Sequence, residues 1–593
     1  MPALKRTRLA FYWFTSVPRR TIAGVVIAAG VALALVNLAA QGAPQMTPGR
    51  NVNTAGGPAK IVFDAQNKII EFQGDPLLER DNEGTCDVDP LDPKHVVCAN
   101  NSWAFVDVPP ALDPDAATGD AWLRIAQSTN AGGSFTSRML TGHYLLNSAD
   151  DLASPIRQYP AGADPVYRFG TDGIGYLFGL AFDRAATPGG TSAATAAVGG
   201  ALFVSRYFNY NDTENDPEPS KYVNQVVIAK TTTAKFQDKE WGAVDIPRSG
   251  AQMCTIPAKH GRPARSFPGG RVYVGYATFQ GNLPNLISKG FIAYSADCGA
   301  TWKSVQVGEG TNLINGFAIT IHPLTGWVDA VFRVFRDNNQ PDSIQHVRSV
   351  DGGVSYTKPA IVATLPLLTR TGAPGIQGDG STVPSAFEQA MTNDGARMHT
   401  LPAAAAGPDG KLYVVWSQRV PRPIGGIMTR DSKIVLTVGT SRANGGGLKF
   451  SAPGLIDDTP LPFSQQTVLP KDEQPLALRR DHQFQPAIAL LDNGSLMVTY
   501  YSLVQDHSTG EITAQKTTDP GDPSAPGVVN FLESREIKGD LLPSPTTAST
   551  KKVFTEFARD RADAKASLSG DNAPSFTDPA LSYLARKHTV AVR

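Results

Sequence analysis

The sequence predicts an all-β fold, a six-bladed β-propeller. The chain has 593 residues, which is too long for one simple core unless the fold is modular. From Ile61 onward, short apolar runs alternate with clusters of Gly, Pro, Asn and Asp, the pattern of many short strands joined by turns. Such strands build sandwiches, barrels or propellers, and two units that recur along the chain favour the propeller.

The overall charge gives no sign of a nucleic-acid partner. The chain carries 54 Lys and Arg against 54 Asp and Glu, so its formal net charge is zero. Proteins that bind nucleic acids usually show a basic excess or a basic stripe. The 56 Gly and 45 Pro residues indicate a globular, loop-rich protein instead.

The N-terminal region predicts export or membrane anchoring. Residues 21–40 carry no charge and are about long enough to cross a bilayer, so they form either a signal peptide or a transmembrane anchor helix. A buried core helix is the alternative, but the basic segment 1–20 favours export. Residues 41–60 are expected to form a flexible linker. The remaining chain is therefore expected outside the cytoplasm, either secreted or periplasmic, or held at the membrane. The basic residues are Lys5, Arg6, Arg8, Arg19 and Arg20.

The four cysteines agree with an oxidising compartment. They are Cys86, Cys98, Cys254 and Cys298, and they form no CxxC pair, so a zinc site is not expected. Four cysteines allow three pairings. The pairing that closes the shortest loops joins Cys86 to Cys98 and Cys254 to Cys298, while four free thiols stay open as an alternative.

The first recurrent unit is a turn followed by an aromatic-rich strand. Six copies occur, and an apolar stretch often precedes the turn, which indicates two antiparallel strands of a meander. The propeller is predicted over residues 61–545, followed by a tail, residues 546–593, with a short helix within Lys552–Leu568. The strands of the six copies start near His95, Ile174, Arg271, Trp327, Lys411 and Ser495.

The second recurrent unit fits the pattern Ser-x-Asp/Asn-x-Gly-x-Ser/Thr-aromatic. In such a turn, Asp or Asn accepts hydrogen bonds from exposed backbone N–H groups, and Gly supplies a positive φ. The hydroxyls tie the two arms of the turn, and the aromatic packs on the sheet. The pattern therefore predicts a structural turn and no chemistry. Its three copies supply Ser128, Asn130, Gly132 and Phe135; Ser295, Asp297, Gly299 and Trp302; and Ser349, Asp351, Gly353 and Tyr356.

This motif resembles the Asp-box, or bacterial neuraminidase (BNR) repeat, of the sialidase superfamily of six-bladed propellers. The resemblance covers roughly Ile61 to Asp540 and implies that the boxes lie at the blade periphery. Two further stretches, Phe236–Arg248 and Arg479–Ser502, resemble inner-strand and late-blade motifs of exported sialidase-like proteins. The resemblance implies that both lie near the mouth of a central channel.

Sialidases combine three arginines that bind the substrate carboxylate, a Tyr nucleophile with a Glu partner, and an Asp acid/base. The resemblance suggests Arg168, Arg480, Asp481 and Tyr501 as the catalytic set. This sequence lacks the family's early Phe/Tyr-Arg-Ile-Pro motif, and "YRFG" at Arg168 is the nearest stretch.

Each candidate also has a structural interpretation. Asp238 and Lys239 are expected to line the channel, with a surface or blade-to-blade ion pair as the alternative for them and for the arginines. On an alternating strand only one of Tyr500 and Tyr501 can face the site, and an aromatic there is more often part of the core.

The sequence predicts no cofactor. Phosphate-binding, His-Glu-x-x-His and Gly-x-Ser-x-Gly motifs are missing from the sequence. The acidic loop Asn209–Ser220 is either a solvated loop or a structural calcium site formed by Asp212, Glu214 and Asp216.

These observations favour an exported glycoside hydrolase of the exo-α-sialidase type that acts on glycans. The alternative is a non-catalytic propeller that binds glycans or proteins at the cell surface. The sequence makes no prediction about oligomeric state.

Overall fold

The computed structural model describes one unit of the chain, within residues 49–593. The predicted export or anchor segment, residues 21–40, lies outside the described part. Among the described residues, no helix has the length and apolar character to span a membrane. The described residues are 54–56, 59–74, 81–105, 120–183, 199–210, 216–232, 235–259, 261–281, 287–308, 313–335, 341–365, 400–424, 427–441, 447–456, 482–490, 496–505, 528–538 and 549–556.

Within that part of the chain the structure is almost entirely antiparallel β, which confirms the all-β prediction. Six sheets of four or more strands follow one another along the chain, with a separate two-stranded hairpin after the first strand of the third sheet. Among the described residues there is one short α-helix, α1 (Ala149–Leu152), and one 3₁₀ turn (Thr171–Gly173).

Sheet 2 is a meander in which each strand pairs with the next, and the last four strands of sheet 1 have the same order. In sheet 1, an N-terminal hairpin adds two strands beside the last of these four. The strands of sheet 1 are β1 (Lys60–Phe63), β2 (Ile69–Gln73), β3 (Asp81–Asp89), β4 (Asp92–Ser102), β5 (Trp122–Ser128) and β6 (Thr136–Met139). The strands of sheet 2 are β7 (Ala161–Phe169), β8 (Ile174–Phe182), β9 (Gly200–Asn209) and β10 (Ser220–Lys230).

Sheets 3 and 4 have the same meander order, except that the hairpin of β12 and β13 interrupts sheet 3. Sheet 3 and this hairpin comprise β11 (Lys235–Val244), β12 (Met253–Ile256), β13 (Arg265–Pro268), β14 (Val272–Gln280), β15 (Ile287–Ser295) and β16 (Lys303–Gln306). Sheet 4 comprises β17 (Leu313–Ile321), β18 (Val328–Phe335), β19 (Ser343–Ser349) and β20 (Ala360–Thr364).

Sheets 5 and 6 complete the described fold. Sheet 5 comprises β21 (Ala403–Ala406), β22 (Leu412–Ile424), β23 (Ile427–Ser441), β24 (Leu448–Phe450) and β25 (Gly454–Leu455). Sheet 6 comprises β26 (His482–Leu490), β27 (Leu496–Gln505), β28 (Val528–Lys538) and β29 (Ser549–Glu556).

The last strand differs from the sequence prediction. Residues 549–556 form β29, although they lie beyond the predicted propeller boundary and include the start of the predicted helix at Lys552. The strand pairs along its length with β28, from Phe531 opposite Glu556 to Lys538 opposite Ser549. Pairing with a neighbouring strand outweighs local helix propensity here. Residues 557–568 of the predicted helix lie outside the described part.

Successive sheets pack against each other through continuous apolar cores. Trp122 of sheet 1 and Tyr167 of sheet 2 belong to one core, and Phe178 and Val274 join sheets 2 and 3 in another. Further cores join sheets 3 and 4, sheets 4 and 5, and sheets 5 and 6. Inner strands such as β8 are buried on both faces, which explains its continuous apolar sequence "IGYLFGLAF".

Close packing also explains a glycine in β8. A Cβ atom at Gly175 would overlap the hydroxyl of Tyr167 on the paired strand β7. Any larger residue would displace that fully buried tyrosine. Glycine is therefore required there because the side chain of Tyr167 crosses directly over the backbone.

One strand of each sheet lies beside the corresponding strand of the next sheet: β3 contacts β7, β7 contacts β11, β11 contacts β17, β17 contacts β21, and β21 contacts β26. We call these six the first strands, because each begins the meander of its sheet; in sheet 1 that meander begins at β3, after the hairpin of β1 and β2. They bring residues from distant parts of the chain to one side of the molecule, where the candidate site lies.

Candidate functional site

Five of the first strands share a β-bulge. At each bulge, two residues of the first strand oppose one residue of its partner, so the register shifts. In β7, for example, Asp164 and Pro165 lie between the pairs Ala163–Leu180 and Val166–Phe178. The other shifts fall between Asn82 and Thr85, Asp238 and Trp241, Asn315 and Ala318, and Phe484 and Ala487.

Four of these bulges begin with a residue in the left-handed region. The φ angles are 58° for Asp164, 46° for Lys239, 67° for Gly316 and 48° for Gln485. This conformation is unfavourable for residues other than glycine, and it marks places where a bulge redirects side chains. The bulges therefore turn polar groups out of otherwise apolar strands.

A row of polar side chains crosses four neighbouring sheets at these bulges. The Lys239 ammonium lies 3.1 Å from Oδ1 of Asp164 on the adjacent sheet. The backbone N–H of Asp164 donates to Oδ1 of Asn101 in sheet 1 at 2.8 Å. On the other side, the Asn315 amide of sheet 4 donates to Oδ2 of Asp238 at 2.9 Å. With Glu240, these side chains form what we call the central row.

Glu240 is the most unusual member of the central row. It is 3% exposed, and no other described residue donates a hydrogen bond to either carboxyl oxygen. Burial, followed by the negative charge of Asp164, raises the pKa of Glu240 well above its ordinary value. Burial and the neighbouring carboxylates of Asp164 and Asp238 therefore favour the neutral form of this carboxyl group, and Lys239 opposes them.

Arg168 links sheets 2 and 3. Its guanidinium lies 4.6 Å from the ring centroid of Trp241 and donates to the carbonyl oxygens of Tyr167, at 2.7 Å, and Gly242, at 3.2 Å. Burial lowers the pKa of Arg168, and the nearby Asp87 opposes that effect. These contacts join sheet 2 to sheet 3 through a carbonyl oxygen and an aromatic ring, whereas the structural alternative for Arg168 was a surface or blade-to-blade ion pair.

The other proposed catalytic residues are described only in part. Arg480 and Asp481 lie outside the described residues. The backbone of Tyr501 pairs with Phe484 beside the bulge of β26. Tyr500 is fully buried in the core between sheets 5 and 6, so it belongs to the packing.

The three repeated turns lie between β5 and β6, between β15 and β16, and between β19 and β20, away from the first strands. In the second turn, Oδ1 of Asp297 accepts from the Thr301 N–H at 2.8 Å, and Ser295 Oγ accepts from the Gly299 N–H at 2.8 Å. Burial opposes ionisation of Asp297, but the bonds from Thr301 and Ser295 outweigh it and lower its pKa. The polar side chains of these turns form hydrogen bonds to residues of the same turn.

The other two turns repeat the same bonds. Asp351 accepts from the Ser355 N–H at 3.0 Å, and Asn130 accepts from the Ser134 N–H at 2.9 Å. The glycine of each pattern has a positive φ, as the sequence predicts, at Gly132, Gly299 and Gly353.

Two disulfides join the cysteines that are closest in sequence. Cys86 and Cys98 connect the paired strands β3 and β4. Cys254 and Cys298 connect the β12–β13 hairpin to the repeated turn of sheet 3. None of the four cysteines is a free thiol.

The acidic loop is described only from Asp216 onward, so Asp212 and Glu214 lie outside the described residues. Asp216 forms an ion pair with Lys221 at 2.7 Å and accepts from the Glu218 N–H at 2.9 Å. Among the residues that the structure describes, no group of three His, Cys, Asp or Glu side chains is placed to hold a metal ion.

Asp238 and Lys239 were predicted either to line a channel or to form a surface or blade-to-blade ion pair, and Lys239 pairs with Asp164 of the adjacent sheet. Asp164, Glu240 and Asn315 were not predicted. The signal that could have found them is a short interruption of an apolar strand by a turn-forming residue. It occurs in "ADPV", "DKEW", "NGFA" and "FQPA", at residues 163–166, 238–241, 315–318 and 484–487.

No protein-family model and no curated protein matches the chain. Among solved structures, it is similar to a protein of unknown function from Dyadobacter fermentans, with 13% identity, coverage of 78% of this chain and 96% of that one, and a TM-score of 0.36. It is also similar to a point mutant of the NanB sialidase from Streptococcus pneumoniae, with 12% identity, coverage of 78% of this chain and 68% of that one, and a TM-score of 0.33.

A third similar structure is the intramolecular trans-sialidase from Ruminococcus gnavus, in complex with oseltamivir carboxylate. The identity is 14%, the coverage is 74% of this chain and 92% of that one, and the TM-score is 0.31. Identities and TM-scores this low assign neither a family nor a function to the chain.

Proposed function

We propose that the protein is an exported six-bladed propeller of the sialidase type that binds glycans where its first strands meet. Six consecutive meanders, packed sheet on sheet with their first strands side by side, are what such a propeller requires. Three turns with the Asp-box pattern, set away from the first strands, support the same architecture.

The observation that carries the binding proposal is the central row itself. Bulges on neighbouring first strands bring together the carboxylates of Asp164 and Asp238, the ammonium of Lys239 and the amide of Asn315. Donors and acceptors therefore alternate over a short distance. A sugar presents hydroxyl groups that both donate and accept, so it can bond to either kind of group.

Hydrolysis of a glycosidic bond is the second candidate function. Glycosidases use two carboxyl groups in different environments, one kept protonated by burial. Glu240 is buried without a partner, while Asp164 is paired to Lys239. The exo-α-sialidase form of this proposal depends in addition on Arg168, Arg480, Asp481 and Tyr501.

Glycan binding is tested with the full-length chain on an array of immobilised oligosaccharides. We expect binding that falls at least tenfold in Lys239→Ala, because that substitution removes the ammonium of the central row. Asp92→Asn is the matched control. It lies nine residues from Asn101 along β4, about 30 Å away, and keeps the oxygen that accepts from the Lys94 N–H. Absence of binding to any glycan would refute the proposal.

Hydrolysis is tested separately by release of a fluorescent aglycone from a sialoside and from neutral glycosides. Release by the native chain that is lost in Arg480→Ala would support the sialidase mechanism. Release from neutral glycosides that is lost in Glu240→Gln would support a carboxyl-based mechanism. If no glycoside is cleaved while the array shows binding, the protein is a binding module.

A further inference from the structure

Sheets 4 and 5 meet at a buried cluster of charged side chains, separate from the central row. The carboxylate of Asp329 in β18 lies at its centre and is fully buried. Its Oδ1 and Oδ2 accept hydrogen bonds from Nε and Nη2 of Arg348 in β19, at 2.7 and 2.9 Å. Nε2 of His346 in the same strand lies 2.7 Å from Oδ1. Asp329 is therefore shared between two partners, Arg348 and His346.

This cluster is tied to sheet 5 by a hydrogen-bond chain and by a ring contact. Nη1 of Arg348 donates to Oγ of Ser441 at the end of β23, at 3.1 Å, and that hydroxyl donates to the carbonyl oxygen of Gly410 at 3.2 Å. The ring of His346 packs edge-on against Phe450 of β24, with 5.6 Å between the centroids. Together with Asp329, these residues form what we call the sheet 4–5 joint.

His322, directly after β17, is buried at the same joint. Its ring lies 6.1 Å from that of Trp327, and the Arg348 guanidinium lies 5.1 Å from the same indole. The carbonyl oxygen of Gly410 acts on the His322 ring from sheet 5, but neither ring nitrogen completes a hydrogen bond of normal geometry with a described residue. A buried polar ring in this state is costly to charge, because water cannot solvate it.

We propose that the sheet 4–5 joint is acid-sensitive: it is closed while the His322 ring is neutral and loosens when that ring takes up a proton. A proton there places a further cation near the buried guanidinium of Arg348, while Asp329 is already bonded to Arg348 and His346. Loosening of the joint lets water reach the new charge. This inference concerns the fold and does not depend on the proposed glycan binding.

The charged groups around His322 come from the strands and turns packed against it. Burial lowers the pKa of His322 and outweighs the carboxylates of Asp329, in β18, and Asp409, in the turn before β22, which favour the protonated ring. The Arg348 guanidinium adds to the lowering. From the segment after β11, Arg248 donates to the backbone carbonyl of His322 at 3.0 Å. The other charged or titratable side chains around the joint are His346, Lys411, which pairs with Asp409, and Asp245, which pairs with Arg248.

The direction of the response follows from these groups. The folded-state pKa of His322 lies below 6.5, so its contribution to stability is present above pH 6.5 and is lost as pH falls toward the folded-state pKa. Burial acts to raise the pKa of Asp329, but the bonds from His346 and Arg348 prevail and lower it. The bond from Lys411 does the same for Asp409. Both carboxylates therefore stay ionised in the range where histidine titrates.

Hydrogen–deuterium exchange of the full-length chain at about pH 7.5 and about pH 5 tests the inference. Exchange of the unfolded chain at each pH corrects for the intrinsic rates. We expect the protection of residues 407–413 and 437–441 to fall about tenfold at the lower pH, while that of residues 272–280 in β14 stays unchanged. His322→Gln cannot take up a proton, so it should keep its protection at both pH values.

His346→Gln is the matched control, because it removes the other histidine of the joint and should leave the pH response in place. Equal protection of residues 407–413 in the native chain at both pH values overturns the inference. So does a response that persists in His322→Gln, or one that both variants abolish. An equal loss at residues 272–280 shows unfolding of the whole chain and also overturns it. If His322→Gln does not fold, His322→Phe, which keeps a planar ring without a titratable group, takes its place.

Discussion

At the scale of single residues, Glu240 controls how the central row responds to pH. Its neighbour Asp164 pairs with Lys239, and Asp238 accepts from Asn315, whereas no other described residue donates a hydrogen bond to the carboxyl oxygens of Glu240. Keeping the proton is the only way for this carboxyl to avoid a buried, unpaired charge. The folded protein therefore binds the proton of Glu240 more tightly than the unfolded chain does.

This proton gives a stability prediction with a definite sign. The pKa of Glu240 is raised in the folded state above its ordinary value of 4.5. The contribution of the Glu240 proton to the free energy of unfolding is fully present below pH 4.5. It is lost as pH rises toward the folded-state pKa, by up to about 1.4 kcal/mol per pH unit. Glu240→Gln cannot lose a proton, so it should flatten this slope and raise the unfolding midpoint at neutral pH.

Urea denaturation between about pH 5 and pH 8 measures the effect. Asp92→Asn serves as the control, since it also replaces one carboxylate by an amide but lies far from the row. Parallel pH profiles for the native chain and Glu240→Gln would contradict the account of this residue.

At the scale of elements, the bulges and the repeated turns differ in how far they can be predicted from the sequence. The turns are fixed by local chemistry, so their Ser, Asp and Gly residues could be recognised from sequence alone. A bulge forms because two strands pair with one extra residue between them, which is a tertiary event. The stretch "ADPV" therefore marks an interruption of the strand, but it does not by itself predict that Asp164 lies in the central row.

The strain at a bulge can be measured at Gln485. Its φ is 48° and its side chain is exposed, so a substitution there changes little packing. Gln485→Gly should raise the free energy of unfolding by about 1 kcal/mol, because glycine adopts this conformation without a clash. Gln485→Val should lower it, since β-branched residues disfavour positive φ. Equal stabilities of the two variants in thermal denaturation would refute the assigned backbone.

The turns give a second prediction at this scale. Asp351 accepts from Ser355 N–H at 3.0 Å, Ser355 Oγ at 2.6 Å and Ser349 Oγ at 2.7 Å. Asp351→Ala should therefore cost about 1 to 3 kcal/mol. Asp351→Asn should cost less, because Asn130 fills the same position in the first turn.

The ionisation of Asp351 adds a pH dependence to this turn. Burial acts to raise its pKa, but the bonds from Ser355 and Ser349 prevail and lower it from 3.8 to about 2. A depressed pKa means that this contribution is present above pH 3.8 and is lost as pH falls toward 2. Thermal melts of the native chain and Asp351→Ala should therefore converge in this acidic range, and a constant difference would contradict the prediction.

At the scale of the whole molecule, the repeats were enough to predict the all-β class. The last strand, β29, could not be predicted in this way, because it forms by pairing with β28. The sequence around Lys552 suits a helix as well as a strand, and β28 decides the outcome. Tyr500 shows the same limit, because only the packing of sheet 6 on sheet 5 places it in a core. Local patterns thus predict units, and contacts between units decide which residues are available to a site.

The two disulfides should stabilise the folded chain unequally. Cys254 and Cys298 are 44 residues apart, and Cys86 and Cys98 are 12 apart. Loop-closure entropy predicts losses of about 4 and about 3 kcal/mol when each bridge is removed. Thermal denaturation of Cys254→Ala/Cys298→Ala and Cys86→Ala/Cys98→Ala measures this order. A larger loss for the shorter loop would show that local packing, and not chain entropy, dominates.

The proposed ligand site at the bulged first strands can be located by hydrogen–deuterium exchange of the full-length chain, with and without a saturating oligosaccharide that binds on the array. We expect new protection at residues 163–166, 238–241 and 315–318, and none at the repeated turns around Asn130, Asp297 and Asp351. Protection confined to those turns, or elsewhere away from the first strands, would contradict it.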